Sequence, residues 1–118
     1  MFIVVSSAGP DLEAQVAQKF SRCKYFVLAD TDSLEFESVI NTASSVSAGA
    51  DVLTALFVVN RGAKAVLTGE IGPSAVKALV DEGISVFVRV RGTLREAIGG
   101  FREGKFPRTF HPTVTGAV

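Results

Sequence analysis

Ala65-Val66-Leu67-Thr68-Gly69-Glu70-Ile71-Gly72-Pro73 opens as a short apolar run, the pattern of a strand covered on both faces. The run passes into a turn with two glycines and closes on Pro73, a residue well accommodated at the first position of a helix. Val76, Leu79 and Val80 then recur at helical spacing until Gly83 stops the pattern. A buried strand feeding a helix is half of a β–α–β crossover, which needs a parallel neighbour. The chain is therefore expected to belong to the α/β class.

Working outward supports that class on both sides. Ile84–Val90 reads as the next strand, and Thr93 and Glu96 behind it have capping-box spacing. Leu94, Ile98 and Phe101 line the helix that follows, with Gly104 at its end. Upstream, Val52, Leu53, Leu56 and Val59 form one helical stripe and Gly62 is placed to cap it. Phe2–Val5 is a buried strand, and Asp11 is placed to cap a short helix running to about Phe20. Tyr25–Ala29 and Leu34–Ile40, joined by an Asp-rich turn, read as an antiparallel hairpin whose second strand is an edge. The expected architecture is a three-layer α/β/α domain over residues 1–106 with a mixed five-stranded sheet. An irregular tail, broken by Pro107 and Pro112, occupies 107–118.

Composition narrows the chemistry. The 118 residues include 47% hydrophobic positions, enough for one folded domain with its own core. Twelve basic and twelve acidic residues cancel, so the overall charge gives no reason to expect nucleic acid as a partner. No apolar stretch approaches the roughly 20 residues of a membrane span, and the N-terminal run lacks the basic flank of a signal peptide. A cytoplasmic protein, monomeric or weakly dimeric, is expected. Cys23 is the one cysteine and His111 the one histidine. They cannot build a closed zinc site, a Cys-ligated iron–sulfur centre or a disulfide. Asp30, Asp32, Glu35 and Glu37 surround the hairpin turn, where they read as solvated edge charge. No complete catalytic set stands out, and the chain is expected not to be an enzyme.

In an open α/β sheet ligands sit beyond the carboxyl ends of the parallel strands. Here those loops are Ser6–Pro10, Thr68–Pro73 and Arg89–Thr93, two of them leading into helix N-termini suited to anions. The Thr68–Pro73 turn lacks the Gly-Lys-Ser/Thr ending of a phosphate-binding loop and is not a dinucleotide fingerprint. Arg89 and Arg91, two apart on an expected strand end, should face one side. Lys19, Arg22 and Lys24 would extend them into a basic rim. Cys23 lies among those cations, which would favour its thiolate if they faced it; otherwise it is a small buried hydrophobe.

Four segments taken in order resemble a known family: Phe20-Ser21-Arg22-Cys23-Lys24-Tyr25-Phe26, Asn41-Thr42-Ala43, Thr68-Gly69-Glu70-Ile71-Gly72-Pro73 and Gly92-Thr93-Leu94-Arg95-Glu96-Ala97-Ile98. The pattern is similar to the dinitrogenase iron–molybdenum cofactor biosynthesis family, which includes NifX-like proteins, the C-terminal domain of NifB-type proteins and the molybdenum–copper orange protein. The resemblance implies a ribonuclease H-like fold. It also implies a non-enzymatic carrier or scaffold for an anionic metal–sulfur cluster containing molybdenum with iron or copper. Cluster-donor or acceptor proteins are the implied partners. By position it implies a cluster-binding set of Lys19, Ser21, Arg22, Cys23, Thr68, Gly69, Ile71, Gly72, Arg89, Arg91 and Thr93, with Cys23 as the candidate metal ligand. Relatives often carry histidine or arginine where Lys19 stands and glycine where Ser21 stands. The loop Ser44–Gly49 is poorer in Gly and His than in many of them, and the tail past Phe106 has no match. Two other functions fit the residues alone. One is a sensor or small enzyme binding a phosphorylated metabolite at the same helix N-termini, and the other an interaction module using the hairpin edge.

Overall fold

The computed structural model describes residues 1–45 and 49–115. Val46-Ser47-Ala48, part of the Ser44–Gly49 loop singled out above, lies outside the described residues. Strands β1 (Phe2–Ser7), β2 (Tyr25–Asp30) and β3 (Phe36–Ile40) come first, and a 3-10 turn at Thr42–Ser45 precedes helix α1 (Ala50–Asn60). Then follow β4 (Ala65–Leu67), α2 (Pro73–Asp81), β5 (Ser85–Phe87), α3 (Leu94–Arg102) and β6 (Arg108–Thr109). The sheet has six strands in the order β3-β2-β1-β4-β5-β6. β4 runs parallel to β1 and β5, while the β2 and β6 pairings are antiparallel. β3 pairs antiparallel with β2 and is an edge strand.

Alternation along β1 sends Val4 to one face and Ile3 and Val5 to the other. On the first face Val4, Phe26 and Val66 pack against Ala55 and Val58 of α1 and Ala75, Val76 and Leu79 of α2. On the second, Ile3, Val5 and Leu67 pack against Leu94, Ala97 and Ile98 of α3, with Leu12 and Val16. Each fully buried Leu, Ile or Phe contributes about 1.5–3 kcal/mol through removal from water, so the layers are held from both sides. Among the described residues no helix is long and apolar enough to cross a membrane.

Four sequence expectations change. The sheet has six strands, not five, because Arg108–Thr109 of the supposed tail adds to β5 through Phe87↔Arg108 and Val86↔Thr109. Residues 11–20 are not a helix. Asp11 accepts a hydrogen bond from the Glu13 amide, but the chain then extends and forms bridges Ser7↔Val16, Gln15↔Thr93 and Lys19↔Glu70. The stripe Val52, Leu53 and Leu56 of α1 faces solvent, each about half exposed at 47%, 48% and 51%; the buried face is Ala50, Asp51, Thr54, Ala55 and Val58. Finally, the strand expected over Ile84–Val90 stops at Phe87, because Arg89 adopts a left-handed conformation with φ 61.

Candidate functional site

The carboxyl ends of β1, β3, β4 and β5 and the amino end of β2 all lie at one end of the sheet. Across this upper end runs the extended segment 15–20. Ala17 N donates to Ser6 O at 2.8 Å, Val16 N to Gly92 O at 2.9 Å and Glu70 N to Gln18 O at 2.6 Å. Phe20 N donates back to Glu70 O, and the Gln18 side-chain amide donates to Val90 O at 3.2 Å. These bonds bring Lys19, the Gly-rich turn and the Arg89–Thr93 segment together, as the sequence suggested. Gly69 is required here: a Cβ on it would stand 2.7 Å from the Gln18 Cα.

Several expected ligand groups are turned to structural use. The Thr68 hydroxyl is buried against the Ser6 hydroxyl at 2.8 Å. Thr93 caps α3 by accepting from Glu96 N, while its own N–H donates to the Glu96 carboxylate at 2.9 Å, a complete capping box. That bonding holds the Glu96 carboxyl below its usual range. Ile71 is buried, and its N–H donates to the Thr113 hydroxyl at 2.8 Å. Gly72 is the N-cap of α2, and Pro73, the first helical residue, has no N–H to offer. The turn is therefore short of free amides for an anion.

Ser21 and Cys23 sit deeper. The Ser21 hydroxyl donates to Asp51 Oδ1 at 2.5 Å, with both residues buried. Asp51 stands in the first turn of α1, where the positive end of the helix favours a carboxylate. The Asn41 amide donates to the Ser21 and Cys23 carbonyls at 3.0 and 2.9 Å and reaches Cys23 Sγ at 3.8 Å. Cys23 is 4% exposed among Phe20, Phe26 and Val4. Burial pushes its thiol from 9.0 up to about 12, against smaller opposing hydrogen bonds from the Ser7 backbone and Asn41. In this fold the sulfur is a neutral thiol, not the cation-activated thiolate that its sequence neighbours suggested.

Those neighbours, Lys19, Arg22 and Lys24, are exposed, as are Arg89 and Arg91. None of Lys19, Lys24, Arg89 and Arg91 forms an ion pair with another described residue, whereas Arg61, Arg95 and Arg102 do. The left-handed turn at Arg89 ends the strand alternation, so the expectation that Arg89 and Arg91 share a side loses its basis. Among the described residues no group of three His, Cys, Asp or Glu is placed to hold a metal ion. Asn41 was visible in the Asn41-Thr42-Ala43 segment but not as the clamp on Cys23. Asp51 and Thr113 carried no sequence signal.

The family model for the dinitrogenase iron-molybdenum cofactor matches residues 1–104. The chain belongs to that family. The apo orange protein of Desulfovibrio gigas is 33% identical, with 96% of each chain covered and a TM-score of 0.91. A Thermotoga protein designated NifB-like is 29% identical, with 98% of each chain covered and a TM-score of 0.82. An uncharacterised Methanocaldococcus jannaschii protein is 28% identical over 97 residues, 80% of this chain and 82% of that protein.

Proposed function

We propose that this family member is a non-enzymatic carrier or scaffold for a preassembled anionic metal–sulfur cluster, of molybdenum with iron or copper. Exposed Lys19, Lys24 and Arg91, with Arg22 beside them, would hold the cargo at the upper end of the sheet. The observation that carries this reading is that Lys19, Lys24 and Arg91 have no carboxylate partner among the described residues. Such cations remain available to an incoming polyanion, and their attraction is strongest where solvent screening is least. Family membership and the likeness to the orange protein support the choice of cargo. The strand order β3-β2-β1-β4-β5 we read as ribonuclease H-like.

Cys23 is assigned to packing rather than to the metal, because a buried neutral thiol is a poor ligand until it is both exposed and deprotonated. Ser21 and Asp51 fix the Lys19–Cys23 segment from beneath. A phosphometabolite sensor using the N-termini of α2 and α3 is less well supported, since Ile71 and Thr93 already have their N–H groups bonded. Anaerobic reconstitution with tetrathiomolybdate and copper(I), or with an iron–molybdenum cluster precursor, tests the proposal. Stoichiometric uptake of a visible chromophore is expected; a folded protein that takes up none contradicts it.

A further inference from the structure

Beyond the Gly-rich turn, residues 107–113 fold back over the end of β5. Val88 N donates to Pro107 O, β6 pairs with β5, and Thr113 N donates to Ile71 O at 2.9 Å. The Thr109 hydroxyl closes the intervening turn, donating to His111 O at 2.8 Å and accepting from His111 N. Between this strap and the residues that follow β5 lies an open cleft of about 500 Å³ lined in part by Val88, Arg89, Arg108, Thr109 and Thr113.

Three features bear on what this cleft can hold. Arg89 holds a left-handed backbone conformation at φ 61, which is costly for a residue with a Cβ. Its N–H is fixed on Gly69 O at 2.9 Å and the next amide on Thr68 O at 3.1 Å. The Arg108 guanidinium lies over the Phe110 ring, 4.7 Å from its centroid, a contact that limits the side chain's freedom. Neither guanidinium pairs with a carboxylate of another described residue. Two like charges lining one cleft repel unless an anion joins them.

We propose that this cleft binds a small tetrahedral oxyanion of the phosphate class, gripped by Arg89 and Arg108. A guanidinium presents paired donors that match two oxygens of such an anion, and the polar, open cleft leaves room for an ester substituent. Arg89 thereby belongs to a site separate from the cluster rim formed by Lys19, Lys24 and Arg91.

The test is titration of the ¹⁵N-labelled protein at fixed ionic strength with inorganic phosphate, with glycerol 3-phosphate, and with chloride as control. Phosphate should give saturable amide shifts at residues 88–89 and 107–113, and chloride should give none. Arg108→Gln and Arg89→Gly should each weaken binding about tenfold or more, the loss of one charge-assisted contact. Arg89→Gly also relieves the left-handed strain, so it should fold at least as well as the parent, and its loss of binding cannot be ascribed to unfolding. Arg108→Lys should retain part of the affinity, and Arg102→Gln, at the opposite end of α3, all of it. Binding of the ester as well as the free ion supports recognition of a phosphoryl group on a larger molecule. Binding of inorganic phosphate alone supports the free ion as ligand. Shifts that do not saturate, or that match those with chloride, overturn the proposal, as does unchanged affinity in Arg108→Gln. Chromophore uptake at the cluster rim should be indifferent to Arg108→Gln, so the two sites fail or stand separately.

Discussion

Cys23 carries its meaning in its burial, which its sequence neighbours do not reveal. Lys24 and Arg22 flank it in the chain, yet the residue is only 4% exposed and belongs to the core cluster of Phe20 and Phe26. Desolvation outweighs the hydrogen bonds from Ser7 and Asn41, so the thiol is raised to about 12. An acid with a higher pKa folded than unfolded stabilises the native state only while it stays protonated. That contribution is whole below the unfolded value of 9.0 and is lost as pH climbs toward 12. Each pH unit in that window removes about 1.4 kcal/mol for a single such group. Urea titrations of the parent and of Cys23→Ala across this range should therefore converge as pH rises, the parent falling more steeply. Parallel curves would show that the thiol is not desolvated. Iodoacetamide labelling at pH 8 should likewise track global unfolding rather than proceed on the native protein. The sequence set thiolate and buried hydrophobe side by side, and could not choose, because adjacency in the chain says nothing about which side chains face one another.

Among the elements, the legible ones had strong local chemistry. The capping box at Thr93 and Glu96 formed as expected, and so did the Pro73 start of α2 and the β2–β3 hairpin with β3 at the edge. Helix α1 was legible in existence but not in facing. Its sequence Ala-Asp-Val-Leu-Thr-Ala-Leu-Phe-Val-Val-Asn is apolar on more than one side, so periodicity does not select a buried stripe. The structure resolves the ambiguity with two polar residues turned inward. Thr54 donates its hydroxyl to Ala50 O at 2.7 Å, and Asp51 accepts from Ser21. Val58→Ala, at a fully buried site, should cost about 2 kcal/mol in chemical denaturation from lost methyl burial and the cavity left behind. Leu56→Gln, on the exposed side, should stay within about 0.5 kcal/mol of the parent. The opposite ranking would mean that the stripe Val52, Leu53 and Leu56 is the buried one after all. The segment 11–20 misled because Asp11 does begin a turn, while the extended path beyond it is set by partners at Ser6, Glu70 and Gly92. β6 gave no sequence signal, being only two residues long and following Pro107.

At the scale of the molecule, a net charge of zero conceals a gathering of cations at one end of the sheet. Lys19, Arg22, Lys24, Arg89 and Arg91 gather beyond the carboxyl ends of the parallel strands. The opposite end is mixed: Asp30, Asp32 and Glu35 at the hairpin turn and Asp81 and Glu82 at the C-terminal end of α2 stand there with Arg61, Lys64 and Arg102. Asp11, Glu13, Asp51, Glu70 and Glu96 are acidic residues at the cationic end; Glu13 is paired with Arg95 at 2.8 Å, Asp51 accepts from Ser21 and Glu96 from Thr93 N. Composition hid this cluster; topology produced it, by carrying residues distant in sequence to one edge. The most direct measurement is anaerobic titration with tetrathiomolybdate and copper(I), comparing the parent with a Lys19→Gln, Lys24→Gln, Arg91→Gln triple variant at two salt concentrations. The parent should take up the chromophore stoichiometrically and more weakly as salt rises. The triple variant, still folded because all three side chains are exposed, should lose about tenfold or more in affinity, at least 1.4 kcal/mol. Equal uptake by parent and variant, or none by either, would contradict a cationic cluster carrier.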